Sequence, residues 1–79
     1  MMPLSMTRPG ESVQLVAIRG GRRVRKRLAD LGLTPGTTVR VVQANSMGPL
    51  IVAFKDDVRL ALGRGMAHKI HVKPLTSVV

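Results

Sequence analysis

His68 and His71 are the only histidines in the chain, three residues apart in the run His-Lys-Ile-His. On one helical turn that spacing puts both imidazoles on one face, where they could hold a transition metal; with His71 in a strand the rings diverge. Lys69 and Lys73 flank them, no carboxylate is near, and the chain has no cysteine. A metal site of this class needs three or four protein ligands, so two imidazoles among lysines leave it short, and no specific metal site or cofactor is expected. Serines and carboxylates are present, but no spacing joins a nucleophile to an oriented base, and an enzyme is not expected. Gly20-Gly21 lacks the Gly-Lys-Ser/Thr ending of a phosphate loop, so nucleotide binding is not expected of this chain.

The densest chemistry is cationic. Arg19, Arg22, Arg23, Arg25, Lys26 and Arg27 are six of thirteen Lys and Arg residues, set against four carboxylates, and the formal charge is +9 at pH 7. A field of that size attracts nucleic acid, an acidic protein face or an anionic membrane surface. Arg22, Arg23, Arg25 and Lys26 are therefore candidate partner contacts, weighed against the commoner role of a charge run as a solvated face. Met47, in the Gly/Pro loop "NSMGP", is a fifth candidate, because a methionine adapts to the surface it meets. A nucleic-acid-binding barrel would use the same cations on phosphates. Against it stands the lack of aromatic residues: single-strand binders of barrel type stack bases on rings, and Phe54 is the one aromatic in the sequence.

These residues need a scaffold. "ESVQLVAI", residues 11–18, alternates imperfectly and reads as a strand partly covered on both faces, after the turn signal Pro9-Gly10 and before Gly20-Gly21. A short helix follows. Val24, Leu28 and Leu31, at i, i+4 and i+7, form its apolar stripe, and the cations fill the rest of its surface. Gly32 supplies a left-handed stop, with Leu33 placed to return against Leu28. Arg22 and Arg23 in the first turn and Asp30 in the last oppose the helix dipole, at about 0.3–1 kcal/mol each. Burial of each apolar anchor contributes about 1.5–3 kcal/mol, so the helix forms on packing and its arginines are not there to stabilise it.

Thr34-Pro35-Gly36-Thr37 fits a type II turn, with proline second and glycine third. A strand over 38–44, the loop 45–49, the strand "LIVAFK", a hairpin turn at Asp56-Asp57 and its return "VRLAL", with Val58, Leu60 and Leu62 facing one way, make a meander. A bend or single helical turn over 63–68, a last short strand "KIHVK" and a frayed tail over 74–79 complete the chain.

With 79 residues there is room for one domain and one small core, residues 1–79 with its folded part at about 4–73. Without disulfides or thiolate zinc, apolar packing must hold it, and Val, Leu, Ile and Ala supply it. Residues 50–54 are far too few to span a bilayer, and the N-terminus lacks the apolar centre of a signal peptide, so a cytosolic, soluble protein is the expectation. Five short strands, several apolar on both sides, cannot lie as an open sheet with a wet face. Closing them into a small SH3-like or OB-like barrel, mainly β with one short helix inserted after the first strand, hides those faces.

In order and at matching spacing, "LSMTRPGESVQLVAI", "RLADLGLTPGTTVRVV", "GPLIVAF" and the "VRLAL" strand with its following Ala and Ile resemble the FeoA family over residues 4–73. The most specific segment is Arg27-Leu28-x-x-Leu31-Gly32-Leu33-Thr34-Pro35-Gly36, supported by Pro9-Gly10-Glu11 and Gly48-Pro49-Leu50. The resemblance implies an SH3-like barrel and a bacterial cytosolic accessory of ferrous iron transport. Its implied partner is the cytosolic GTPase region of FeoB, the membrane transporter of ferrous iron, which it would support or regulate. It also implies kinship with the FeoA-like C-terminal domain of iron-dependent repressors, so a regulatory module of such a system stands as an alternative, and weak self-association stays compatible with the sequence. Two departures remove acid: Gly48-Pro49 stands where the family commonly has Gly-Asp-Pro, and Gly63-Arg64-Gly65 where an acidic residue is common.

Overall fold

A computed structural model describes residues 1–45, 47–55 and 57–75. Six strands form one antiparallel sheet: β1 (Met2–Pro3), β2 (Ser12–Ile18), β3 (Thr38–Ala44), β4 (Leu50–Phe54), β5 (Val58–Leu62) and β6 (Ile70–Pro74), in the order β1-β6-β2-β3-β4-β5. Helix α1 (Arg22–Asp30) joins β2 to β3, and helix α2 (Arg64–Lys69) joins β5 to β6. A 3-10 turn, Leu4–Met6, follows β1.

The expected class is found: mainly β, SH3-like, with a helix inserted after the first long strand. Three details differ. The two-residue β1, paired with β6 through Met2↔Val72 and Pro3↔His71, makes the strands six rather than five. It is too short to leave a pattern in sequence. The helical alternative for the segment after β5 is the one found, as a six-residue helix, and β6 runs one residue into the expected tail, to Pro74. Lys55, expected to end β4, instead starts the hairpin turn with φ +54°; the turn's Asp56 and the tail beyond Leu75 lie outside the described residues.

Two register shifts bend the sheet. β2 slips against β6 between Leu15 and Ala17, and β3 slips against β4 between Val41 and Gln43. Each extra residue raises the local twist and coils the strand, which turns a flat meander into a rounded wall. Inside it lie Val13, Leu15, Val39, Val41, Leu50, Val52, Phe54, Leu62, Ile70 and Val72, with Leu4, Leu28, Leu33 and Ala67 closing the ends. The alternation of β2 survives on its inner face, where Val13 and Leu15 are buried while Val16 points out. On β5 the expected inward set holds at Leu62 and partly at Leu60, but Val58, which still pairs with Phe54, is exposed at the outer end of this edge strand.

The stop of α1 is built as its sequence requires. Leu33 N–H donates to Leu28 O at 2.8 Å and Gly32 N–H to Ala29 O at 2.9 Å, the paired bonds of a Schellman motif, with Gly32 at φ +95°. Glycine is needed there twice over: a Cβ would also sit 3.1 Å from the Phe54 ring. Four residues on, Thr37 N–H donates to Thr34 O at 3.0 Å and Gly36 has φ +97°, closing the type II turn. Leu28 and Leu33 are fully buried, whereas Leu31, expected in the buried stripe, is 45% exposed. It caps the helix after Asp30, where the backbone already departs toward Gly32 and the side chain falls off the packed face.

Candidate partner-docking site

α1 presents Arg22, Arg23, Arg25, Lys26 and Arg27 to solvent. Gly21 caps the helix without a side-chain bond and the first turn carries no acid, so Arg22 and Arg23 stand beside unneutralised N–H groups. Among the described residues one ion pair is formed, Lys26 Nζ to Asp30 Oδ2 at 3.7 Å on the exposed helix face. The remaining cations of α1 keep their charge free for an external anion. Four of the five residues expected to meet a partner, Arg22, Arg23, Arg25 and Lys26, thus share one helix.

Beside them runs a groove of about 260 Å³. Arg27, Leu28 and Leu31 form its α1 wall, Ala61, Leu62 and Gly63 the opposite wall at the end of β5, and Met66 of α2 closes one end. Its floor is core: Leu28 and Leu62 are buried. The exposed Leu31 is therefore an accessible apolar wall rather than a core anchor, beside Arg27 and, among the described residues, with no carboxylate lining the groove. A second, shallower hollow of about 240 Å³ lies by the β4–β5 turn among Arg40, Ala53, Phe54, Lys55 and Asp57, where Asp57 offsets the cations.

Met47, the fifth expected contact, is 95% exposed on the β3–β4 loop. Its loop is tied to another part of the molecule. The Arg64 guanidinium at the start of α2 donates through Nη1 to Asn45 O and through Nη2 to Ser5 O at 3.0 Å, so it joins the loop's base to the 3-10 turn. Exposed Met6 follows Ser5 directly. Sequence reasoning singled out neither Arg64 nor the groove. Arg64 differed from the family's common acid, which was its one signal; the groove needs α1 and β5 side by side, and no local pattern reports that.

The histidines are separated by secondary structure. His68 lies on α2 with Nδ1 3.3 Å from Ser5 Oγ, while His71 lies on β6 opposite Pro3 and Ala17. Among the described residues no group of three or more His, Cys, Asp and Glu side chains is placed to hold a metal ion. Phe54 is buried in the core, so the one aromatic ring offers no surface for stacking. Among the described residues no helix is long and apolar enough to cross a membrane.

Known proteins give the arrangement its relatives. The chain is 36% identical over 73 residues to "Putative Fe(2+) transport protein A" of Methanocaldococcus jannaschii, spanning 92% of this chain and 87% of that one. It superposes on a crystal structure of an iron uptake regulatory protein (FeoA) with TM-score 0.87 and 40% identity, over 94% of this chain and 97% of the other. A manganese-dependent transcriptional repressor shares the fold alone: TM-score 0.85 and 23% identity, over 92% of this chain but 36% of the repressor. The FeoA domain family matches residues 2–74, and with both the barrel and the sequence in agreement the chain is a member of the FeoA family.

Proposed function

We propose that this protein is a non-catalytic cytoplasmic accessory of ferrous iron transport, which docks on the cytosolic GTPase region of a FeoB-type membrane transporter and supports or regulates iron uptake. The observation that carries the reading is the juxtaposition on one side of the barrel of a cationic helix and an apolar groove. Apolar area gives a protein partner affinity, and the cations speed and orient its approach. The arginines at the start of α1 add nothing to helix stability, which is consistent with a role outside the fold. The family and its iron-transport relative supply the process.

Replacing Arg22, Arg23, Arg25 and Lys26 together by Gln tests this reading. The four lie off the buried face of α1, so the melting temperature should hold while capture of the transporter's cytosolic region and ferrous iron uptake both fall. Measurements belong near physiological ionic strength, where screening acts over about 8 Å and loose attraction of a +9 protein to any polyanion is suppressed. Salt-resistant binding to a defined nucleic-acid site, with uptake unaffected by the substitutions, would overturn the transport reading in favour of phosphate recognition.

A further inference from the structure

We propose that the groove beside α1 receives an extended acidic segment of the partner, which adds to the free edge of β5 as a further strand. The proposal rests on the docking function above and specifies the conformation and charge of what docks. β5 is paired by β4 on one side and, among the described residues, by no strand on the other. In an antiparallel strand alternate residues turn their N–H and C=O groups away from the paired neighbour, so β5 offers a row of free donors and acceptors along that edge.

The groove lies where that row meets α1. Ala61 and Leu62 of β5 form one wall and Leu31 the other, over a floor of buried Leu28 and Leu62. An added strand projects every second side chain toward such a floor, the mode in which backbone bonds give affinity and pockets give selectivity. A volume of about 260 Å³ takes side chains, not a whole helix about 10–12 Å across.

Charge selects among extended occupants. Arg27 lines the groove, Arg59 is exposed on β5, and among the described residues no carboxylate lines the groove. A second copy of the chain would bring another +9 to this edge. An acidic strand of another protein meets neither objection. Its length follows from β5, which has five residues.

The test uses the full chain, isotopically labelled for amide-resolved NMR, and a blocked five-residue peptide alternating valine and glutamate. Two control peptides keep the length: one is N-methylated along the backbone, and one carries lysine in place of glutamate. The acidic peptide should bind and slow amide exchange within Val58–Leu62, and both controls should fail. The double variant Arg27→Glu, Arg59→Glu should keep its melting curve and weaken binding by about tenfold or more. Absence of binding at millimolar peptide, or equal binding by the N-methylated form, would overturn strand addition.

Adding the transporter's cytosolic region separates the two readings. Capture of that region with β5 exchange unchanged overturns strand addition and leaves docking intact. Peptide protection of β5 with no capture of the region overturns the docking function and upholds the acidic-strand site.

Discussion

The end of α1 and the start of α2 both anchor loops, and they do it by opposite means. At α1 the hydrogen bonds are local: Leu33 returns to Leu28, Gly32 to Ala29 and Thr37 to Thr34, spans of three to five residues. At α2 a single side chain, Arg64, reaches Asn45 across 19 residues and Ser5 across 59. The first construction forms when its own segment forms. The second exists only once β1, β3 and α2 have already been assembled. Local closure should therefore matter to whether the barrel folds, and the Arg64 clasp to how firmly one loop is held afterwards.

Leu28→Ala should have the largest effect, because it empties a fully buried site at the local stop: a loss of about 2–5 kcal/mol in denaturant unfolding. Leu31→Ala, three residues away and 45% exposed, should cost about 1 kcal/mol or less, which makes the pair a direct check that α1 packs on one anchor rather than two. Equal losses would show that the groove wall is core after all.

Gly32→Ala comes next, at about 1–3 kcal/mol, because an alanine must hold φ near +95° with its Cβ 3.1 Å from the Phe54 ring. A thermal melt unchanged by this substitution would mean the helix stop relaxes freely. Arg64→Ala should be milder, about 1–2 kcal/mol for two charge-assisted bonds that are partly open to water. Its signature should be local: faster amide exchange around Asn45 and Met47, with the α1 stop unaltered. Exchange accelerating at both places alike would erase the contrast between the two closures.

The same contrast explains what could be read in advance. Gly32, Leu33 and the Thr34–Thr37 turn announce themselves within ten residues, since glycine and proline requirements are properties of the local backbone. The strands around Val13, Val39 and Val52 are equally legible from apolar patterning. Leu31 misled because i, i+7 periodicity assumes the helix continues through it, while the Schellman bonds end the helix at Asp30. β1 was invisible because two residues have no period. At the candidate site, the cations of α1 were evident from composition. The groove was not, because its walls belong to α1 and β5, which lie far apart in the sequence and meet only in the fold.

Arg64 also bears on how this loop can change over time. Its two acceptors are main-chain carbonyl oxygens, at Ser5 and Asn45, and every amino acid carries one. The side chains at those two positions, and those of the exposed Met6 and Met47, can be exchanged without disturbing the bonds that fix the loop. The loop carrying Met47 is thus a replaceable tip on a fixed mount, free to be rewritten for a new partner while the barrel beneath it stays the same.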